Sequence, residues 1–273
     1  MDYAAKYGHL NVIKFLDEEC TSRAMYMAAE NGYLDIVKWL YMNRTEGSTV
    51  AAMNIAAGNG HLDVVKWLHD KTKRCTKDAM DIAAENGHFD VVKWLHENRR
   101  EGCSTWAIDW AAANGHFEIV KFLYENRTEG CTFVAMDYAA CNGHLDIVKF
   151  LHKNGAECTE SAMDGAAEWG HLDIVKWLHE NRSEGCTTQA MDLAAEWGHL
   201  DIVEWLHENR TEGCTTWAMD WAAGNGHFNV VQFLHKNRTE GCTLEALYLT
   251  SENGYFYIMN WLRRNYPNAR RQN

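Results

Sequence analysis

Apolar and polar positions along this chain form short blocks that return about every 28 residues. The block from Cys214 to Gly241 shows the pattern. Ala218, Met219, Ala222 and Ala223 recur at i, i+1, i+4 and i+5, which is one apolar stripe of a short helix. The alanines are small enough to let a neighbouring helix approach closely. Thr215 and Thr216 precede the stripe as N-cap residues. Asn225-Gly226 ends it, with the glycine suited to a left-handed C′ position. A second helix follows, with Phe228, Val230, Val231, Phe233 and Leu234 on its apolar face. Sister blocks place an acidic residue in the first turn, as at Asp201 and Glu118, where the helix dipole favours it. The polar run from His235 to Arg238 closes the second helix, and Thr239-Glu240-Gly241 forms the loop to the next block.

The turn glycine of this block recurs at Gly8, Gly32, Gly60, Gly87, Gly115, Gly143, Gly170, Gly198, Gly226 and Gly254. A fixed period of a few tens of residues predicts stacked supersecondary units. Each repeat buries its apolar face only against its neighbours, which gives a solenoid. The one proline, Pro267, lies near the C-terminus, so nothing before it interrupts helices. Most residue types here are therefore repeated for architecture, and only departures from the repeat can carry an individual function.

The string A-A-x-N-G-H-[LF]-[DE]-[IV]-V-K-x-L resembles the ankyrin repeat. Gly60-His61-Leu62-Asp63-Val64-Val65-Lys66 carries the resemblance, as does Gly170-His171-Leu172-Asp173-Ile174-Val175-Lys176. It extends over residues 1 to about 266. Two features depart from the family. Its period is about 33 residues, and the residues missing here fall between Leu206 and Ala218, where a family member carries a β-hairpin finger. The family's T-P-L-H is also replaced, with Ala218-Met219-Asp220 at its last three places. The expected fold is all-α: an ankyrin-like α-solenoid of about ten helix-turn-helix repeats with shortened or absent β-hairpin fingers. The repeat array is expected over 1–266 and a basic C-terminal tail over 267–273. The resemblance implies protein recognition on the concave side through first helices and fingers. With fingers shortened, the first helices would carry more of it.

Composition narrows the function. A formal charge of −12 argues against a nucleic-acid binder and suits a partner protein with a basic patch. No run of 18 apolar residues is present, so no membrane span is expected. The sequence opens inside a repeat without the features of a signal peptide, so the first repeat is either truncated or naturally incomplete. Cys20, Cys75, Cys103, Cys131, Cys158, Cys186, Cys214 and Cys242 share one repeat position, and Ser48 fills it in another repeat. Equivalent atoms in stacked helices lie roughly 8–10 Å apart, beyond the limit of about 7 Å between disulfide-bonded Cα atoms. The row is expected to be free thiols in a reducing, cytoplasmic setting. One cysteine per repeat does not converge on a metal, so neither metal nor cofactor is expected.

Two residue rows invite catalytic thoughts. Aspartates stand at Asp2, Asp81, Asp109, Asp137, Asp164, Asp192 and Asp220, and histidines follow most turn glycines, as at His61 and His227. A second histidine row includes His69, His96, His152, His179, His207 and His235. Catalysis needs one site of distinct, mutually perturbed groups. Equivalent copies along a stack point to hydrogen bonding at helix ends and between repeats. The N-R-[ST] triplets beginning at Asn43, Asn126, Asn181, Asn209 and Asn237 match the glycosylation sequon, but they recur because the loop recurs.

The tryptophans divide into two sets. Trp39, Trp67, Trp94, Trp177, Trp205 and Trp261 share a second-helix position with Phe15, Phe122, Phe150 and Phe233, an interchange that points to core packing. Trp106, Trp110, Trp169, Trp197, Trp217 and Trp221 lie on first helices. Trp169 and Trp197 replace the usual asparagine in adjacent repeats and should be neighbours. Gly165 stands four residues before Trp169 on the same helix face and suggests a notch beside it. The expected site is an aromatic protein-binding patch of Gly165, Glu168, Trp169, Glu196, Trp197, Trp217 and Trp221. The competing reading is that these rings fill gaps between repeats.

The function read from the sequence is non-enzymatic protein–protein recognition on the concave first-helix face. The alternative is a passive structural scaffold or spacer without a specific ligand. The expected state is a monomer. End-to-end dimerisation stays open, because the last repeat is aromatic where a cap is usually polar.

Overall fold

The computed structural model describes residues 1–15, 22–44, 49–72, 75–267 and 269. Cys20, Ser48, Lys73, Arg74, Arg270 and Arg271 lie outside them, as does most of the expected basic tail. Among the described residues the chain forms twenty helices and no strand, from Asp2–Lys6 to Phe256–Asn265. The helices come in pairs, and the pairs group into two compact units, 1–135 and 136–273. In each unit the first helix of a pair packs on the first helix of the next. The α-solenoid expected from the period is what the chain forms.

The local chemistry matches the pattern that predicts it. Helix Thr216–Gly224 buries Ala218, Met219, Ala222 and Ala223, and helix Phe228–Asn237 buries Val230, Val231 and Leu234. Thr215 is the N-cap, its hydroxyl accepting from the Trp217 N–H at 3.1 Å. At the other end His227 N–H donates to the Ala222 carbonyl and Gly226 N–H to that of Ala223. This is the Schellman pair of bonds, and Gly226 has φ of +84°. The loop to the next pair has no hairpin finger. It turns instead on glycines such as Gly213, with φ of +74°.

The aspartate row joins neighbouring repeats. Asp192 takes the Thr215 N–H on Oδ1 and the Thr215 hydroxyl on Oδ2, both at 2.8 Å. Asp81 does the same with Ser104, Asp109 with Thr132, Asp137 with Thr159, Asp164 with Thr187, and Asp220 with Thr243. Each threonine or serine stands at the start of the following first helix, where its hydroxyl accepts an N–H of that helix while the aspartate holds it to the preceding repeat. Burial raises the pKa of these aspartates and the hydroxyl and N–H donors oppose that shift.

Both histidine rows are structural too. The His227 ring lies against Gly198 of the preceding repeat, and His199 lies likewise against Gly170. The second row sets each imidazole edge-on to an aromatic of the next second helix, as in His179–Trp205 with centroids 5.1 Å apart. Those tryptophans and phenylalanines are therefore half-buried rings between repeats. The expected core packing is met as packing between repeats at these positions but not at Phe15, which is 88% exposed, and the innermost places of the second helix belong to the Ile-Val and Leu positions.

The N-R-[ST]-E-G loop has its own logic. Arg182 donates from Nε and Nη2 to both carboxylate oxygens of Glu184, at 3.2 and 2.6 Å. The Asn181 amide donates to the Trp177 carbonyl at the helix end. The same Arg–Glu fork recurs at Arg99–Glu101, Arg127–Glu129, Arg210–Glu212 and Arg238–Glu240. The Arg127 guanidinium holds the Glu129 carboxyl down at about 2.

All described cysteines are free. Burial pushes the thiols of Cys103, Cys131, Cys158 and Cys186 up to about 11, and those of Cys214 and Cys242 up to about 12. In the unfolded chain these thiols titrate near 9.0. The folded state thus holds its protons longer, and its stability must fall as pH rises from about 9 toward 12. Melting temperature followed by circular dichroism will drop steeply across that window. Replacing Cys214 and Cys242 by alanine will flatten the drop. An unchanged slope in the variant would contradict the assignment.

Candidate functional site

The off-register residues that the sequence singles out lie mostly in the unit spanning 136–273. Helices Ser161–Glu168 and Thr188–Glu196 are first helices of adjacent repeats. Trp169 and Trp197 are their C-cap residues, each followed by a positive-φ glycine. The two indoles stack with centroids 5.6 Å apart and planes inclined by 25°. They remain 52% and 49% exposed. Trp217 and Trp221 present exposed indoles one repeat further, on helix Thr216–Gly224, at 56% and 37%. Trp106, in the other unit, is 54% exposed and tilts against Trp110 at 6.0 Å. Five of the six first-helix indoles are thus exposed, and Trp110 is half-buried.

The replaced asparagine has a job elsewhere. Asn225 donates its amide to the Glu196 carbonyl of the preceding repeat at 3.0 Å. Asn86, Asn114 and Asn253 make the same bond to Gly58, Glu85 and Gly224. Trp169 and Trp197 give up this inter-repeat donor. Such a bond contributes about 1 kcal/mol, and a stacked aromatic pair contributes about 0.5–1.5 kcal/mol beyond its area. The exchange is close to neutral for stability, yet it leaves two large apolar rings half in water. Architecture alone gives no reason for it.

Gly165 needs a correction. The expected notch beside Trp169 is occupied. A Cβ on Gly165 would stand 3.1 Å from Cβ and 3.2 Å from Sγ of Cys141, in the preceding repeat. The glycine accommodates that side chain. The same complementarity is met at Gly58 under Ile82 and at Gly224 under Leu249, with the glycine on the other partner. Cys141 also reaches the Trp169 indole, and the Glu168 carboxylate beside it helps burial to raise the thiol pKa. Cys141 thus belongs to the site, and the sequence reading missed it. The available signal was the pairing of an unusual cysteine with an unusual glycine one repeat apart.

Electrostatics separates the two helix layers. From Thr49–Gly58 to Leu244–Glu252 the first helices contain no lysine or arginine. Second helices carry Lys149, Lys176 and Lys236, and the loop arginines are paired with glutamates. Glu168 and Glu196 form no ion pair among the described residues. Desolvation and the charge of Glu168 both raise the Glu196 pKa, so the two carboxylates feel each other.

Among the described residues no group of three His, Cys, Asp or Glu side chains could hold a metal ion, and no helix is long and apolar enough to cross a membrane. A cleft is lined by His69, Asp70, Thr72, Asn98, Arg99, Arg100 and Glu101, and its Arg99 is engaged by Glu101 and His69.

The sequence matches the family model described as ankyrin repeats (3 copies) over residues 25–109, 82–162 and 136–216. Among solved structures, the chain is similar to the crystal structure of the human ASB11 ankyrin repeat domain, with 19% identity and a TM-score of 0.49. That likeness covers 62% of this chain and 90% of that one. No curated protein matches the chain.

Proposed function

Because the chain belongs to the ankyrin-repeat family, whose members are generally protein–protein interaction modules, we propose that it binds a partner protein through the first-helix face around Trp169 and Trp197. The observation that carries this reading is the stacked, half-exposed indole pair at positions where sister repeats place a bonding asparagine. Large exposed aromatics are the usual anchors of interfaces. Trp217 and Trp221 extend the face into the next repeat, Glu168 and Glu196 rim it, and Gly165 seats Cys141 beneath it. The reading assigns no catalysis, since the aspartate and histidine rows are already engaged in linking repeats.

The test uses the repeat's own alternative. Trp169→Asn/Trp197→Asn restores the residue of the sister repeats, so the variant is expected to fold with equal helicity by circular dichroism. Affinity capture from a lysate of the source cells, with quantitative mass spectrometry, would compare it with the wild type. A protein retained by the wild type and lost from the variant is the expected result. Identical partner lists would place recognition elsewhere, and an absence of any enriched partner would favour a spacer.

A further inference from the structure

The chemistry of the first-helix face specifies what kind of segment fits it, given that this face binds a protein at all. Glu168 and Glu196 precede Trp169 and Trp197 in adjacent repeats, the two indoles stack, and the Glu168 charge is felt both at Cys141, which the Trp169 indole reaches, and at Glu196. The two carboxylates repel each other, and no cation among the described residues neutralises either one. The first helices that build the face contain acidic residues and no basic ones, within a chain of net charge −12. An apolar or acidic segment laid over the rings would desolvate both carboxylates without pairing them, which is strongly unfavourable. A basic segment would pair them as it covers the rings.

We propose that the occupant is a basic, arginine-bearing segment of a partner protein, which covers the Trp169–Trp197 indoles and pairs with Glu168 and Glu196. Arginine fits better than lysine. Its planar guanidinium stacks on aromatic faces and meets a carboxylate with two parallel donors. A guanidinium within about 6 Å of an indole centroid also gains from the ring quadrupole. The indoles supply area and shape, and the glutamates supply the sign of the charge that is accepted.

The experiment measures binding of fluorescent peptides to the full chain by anisotropy at low and moderate salt. The probes are a short peptide of alternating arginine and glycine, its lysine counterpart and its glutamate counterpart. The expected order is arginine tighter than lysine, with no binding of the glutamate peptide, and affinity falling as salt rises. Glu168→Gln/Glu196→Gln and Trp169→Asn/Trp197→Asn should each weaken the arginine peptide about tenfold or more, since a desolvated cation–π contact and two charge-assisted bonds are lost. Glu180→Gln/Glu208→Gln makes the same change of net charge on second helices and should leave binding within about twofold, as charges beyond a screening length act weakly. Arginine-peptide binding that is equal in all three variants would be nonspecific attraction and would overturn the proposal. A partner captured from lysate that depends on the two tryptophans, but not on the two glutamates, would also overturn it while leaving the protein-binding face intact. A partner list indifferent to the tryptophans would remove the face itself.

Discussion

Asp220→Ala will lower the stability of the chain by about 3 kcal/mol, read as a fall in the urea midpoint. Asp220 is almost fully buried. It accepts the Thr243 N–H at 2.8 Å and the Thr243 hydroxyl at 2.6 Å. Alanine removes both acceptors and leaves two donors in a place that water does not reach. Each unsatisfied buried donor costs about 1–3 kcal/mol. The threonine hydroxyl also caps helix Leu244–Glu252 by accepting from Glu245 N–H, and loss of its anchor loosens that cap. Asp146 is the comparison. Among the described residues it accepts only from the adjacent Ile147 N–H, in the first turn of its own helix, so Asp146→Ala is expected to cost about 1 kcal/mol or less. Equal losses at the two positions would show that the aspartate row does not link repeats.

Gly198→Ala will cost about 3 kcal/mol, and Gly155→Ala only about 1 kcal/mol. Both glycines have φ near +80°, so both substitutions carry the backbone strain of a left-handed L-residue. At Gly155 nothing lies within 4 Å of the added Cβ. At Gly198 the Cβ would stand 2.5 Å from the His227 Nδ1, and the imidazole must leave its seat. The difference between the two variants, measured by urea denaturation under one set of conditions, isolates the contact between repeats. A difference near zero would mean that the imidazole yields without cost.

Periodicity in the sequence was enough to read the helix pairs, the left-handed turn glycines and the free thiol row, because each rests on local chemistry repeated many times. It also gave the bonding roles of the Asp and His rows in outline, because identical copies cannot form one distinct active site. Partners were harder to read. That Asp192 takes both donors of Thr215, or that Gly165 sits under Cys141, depends on which side chains meet one repeat apart. A period says that a position is constrained and leaves open what faces it. The N-R-[ST]-E-G run was recognisable only as a loop, and its Arg–Glu fork came from geometry. The stacking of Trp169 on Trp197 was legible as adjacency, since both occupy the same place in neighbouring repeats. Their exposure was not, because an indole at a helix end can turn either inward or outward.

The link between an aspartate and the next repeat's threonine or serine spans only 22 or 23 residues. Bonds of that reach close short loops, whose entropy cost grows only slowly with length. Contact order is correspondingly low, which favours rapid, stepwise folding outward from whichever repeat orders first. Such wiring also makes length a free variable. Duplicating or deleting one whole period in the gene carries an aspartate and a threonine or serine donor along together, so an array can be lengthened or shortened with its joints intact, and a recognition surface can be altered by changing two residues in a single copy.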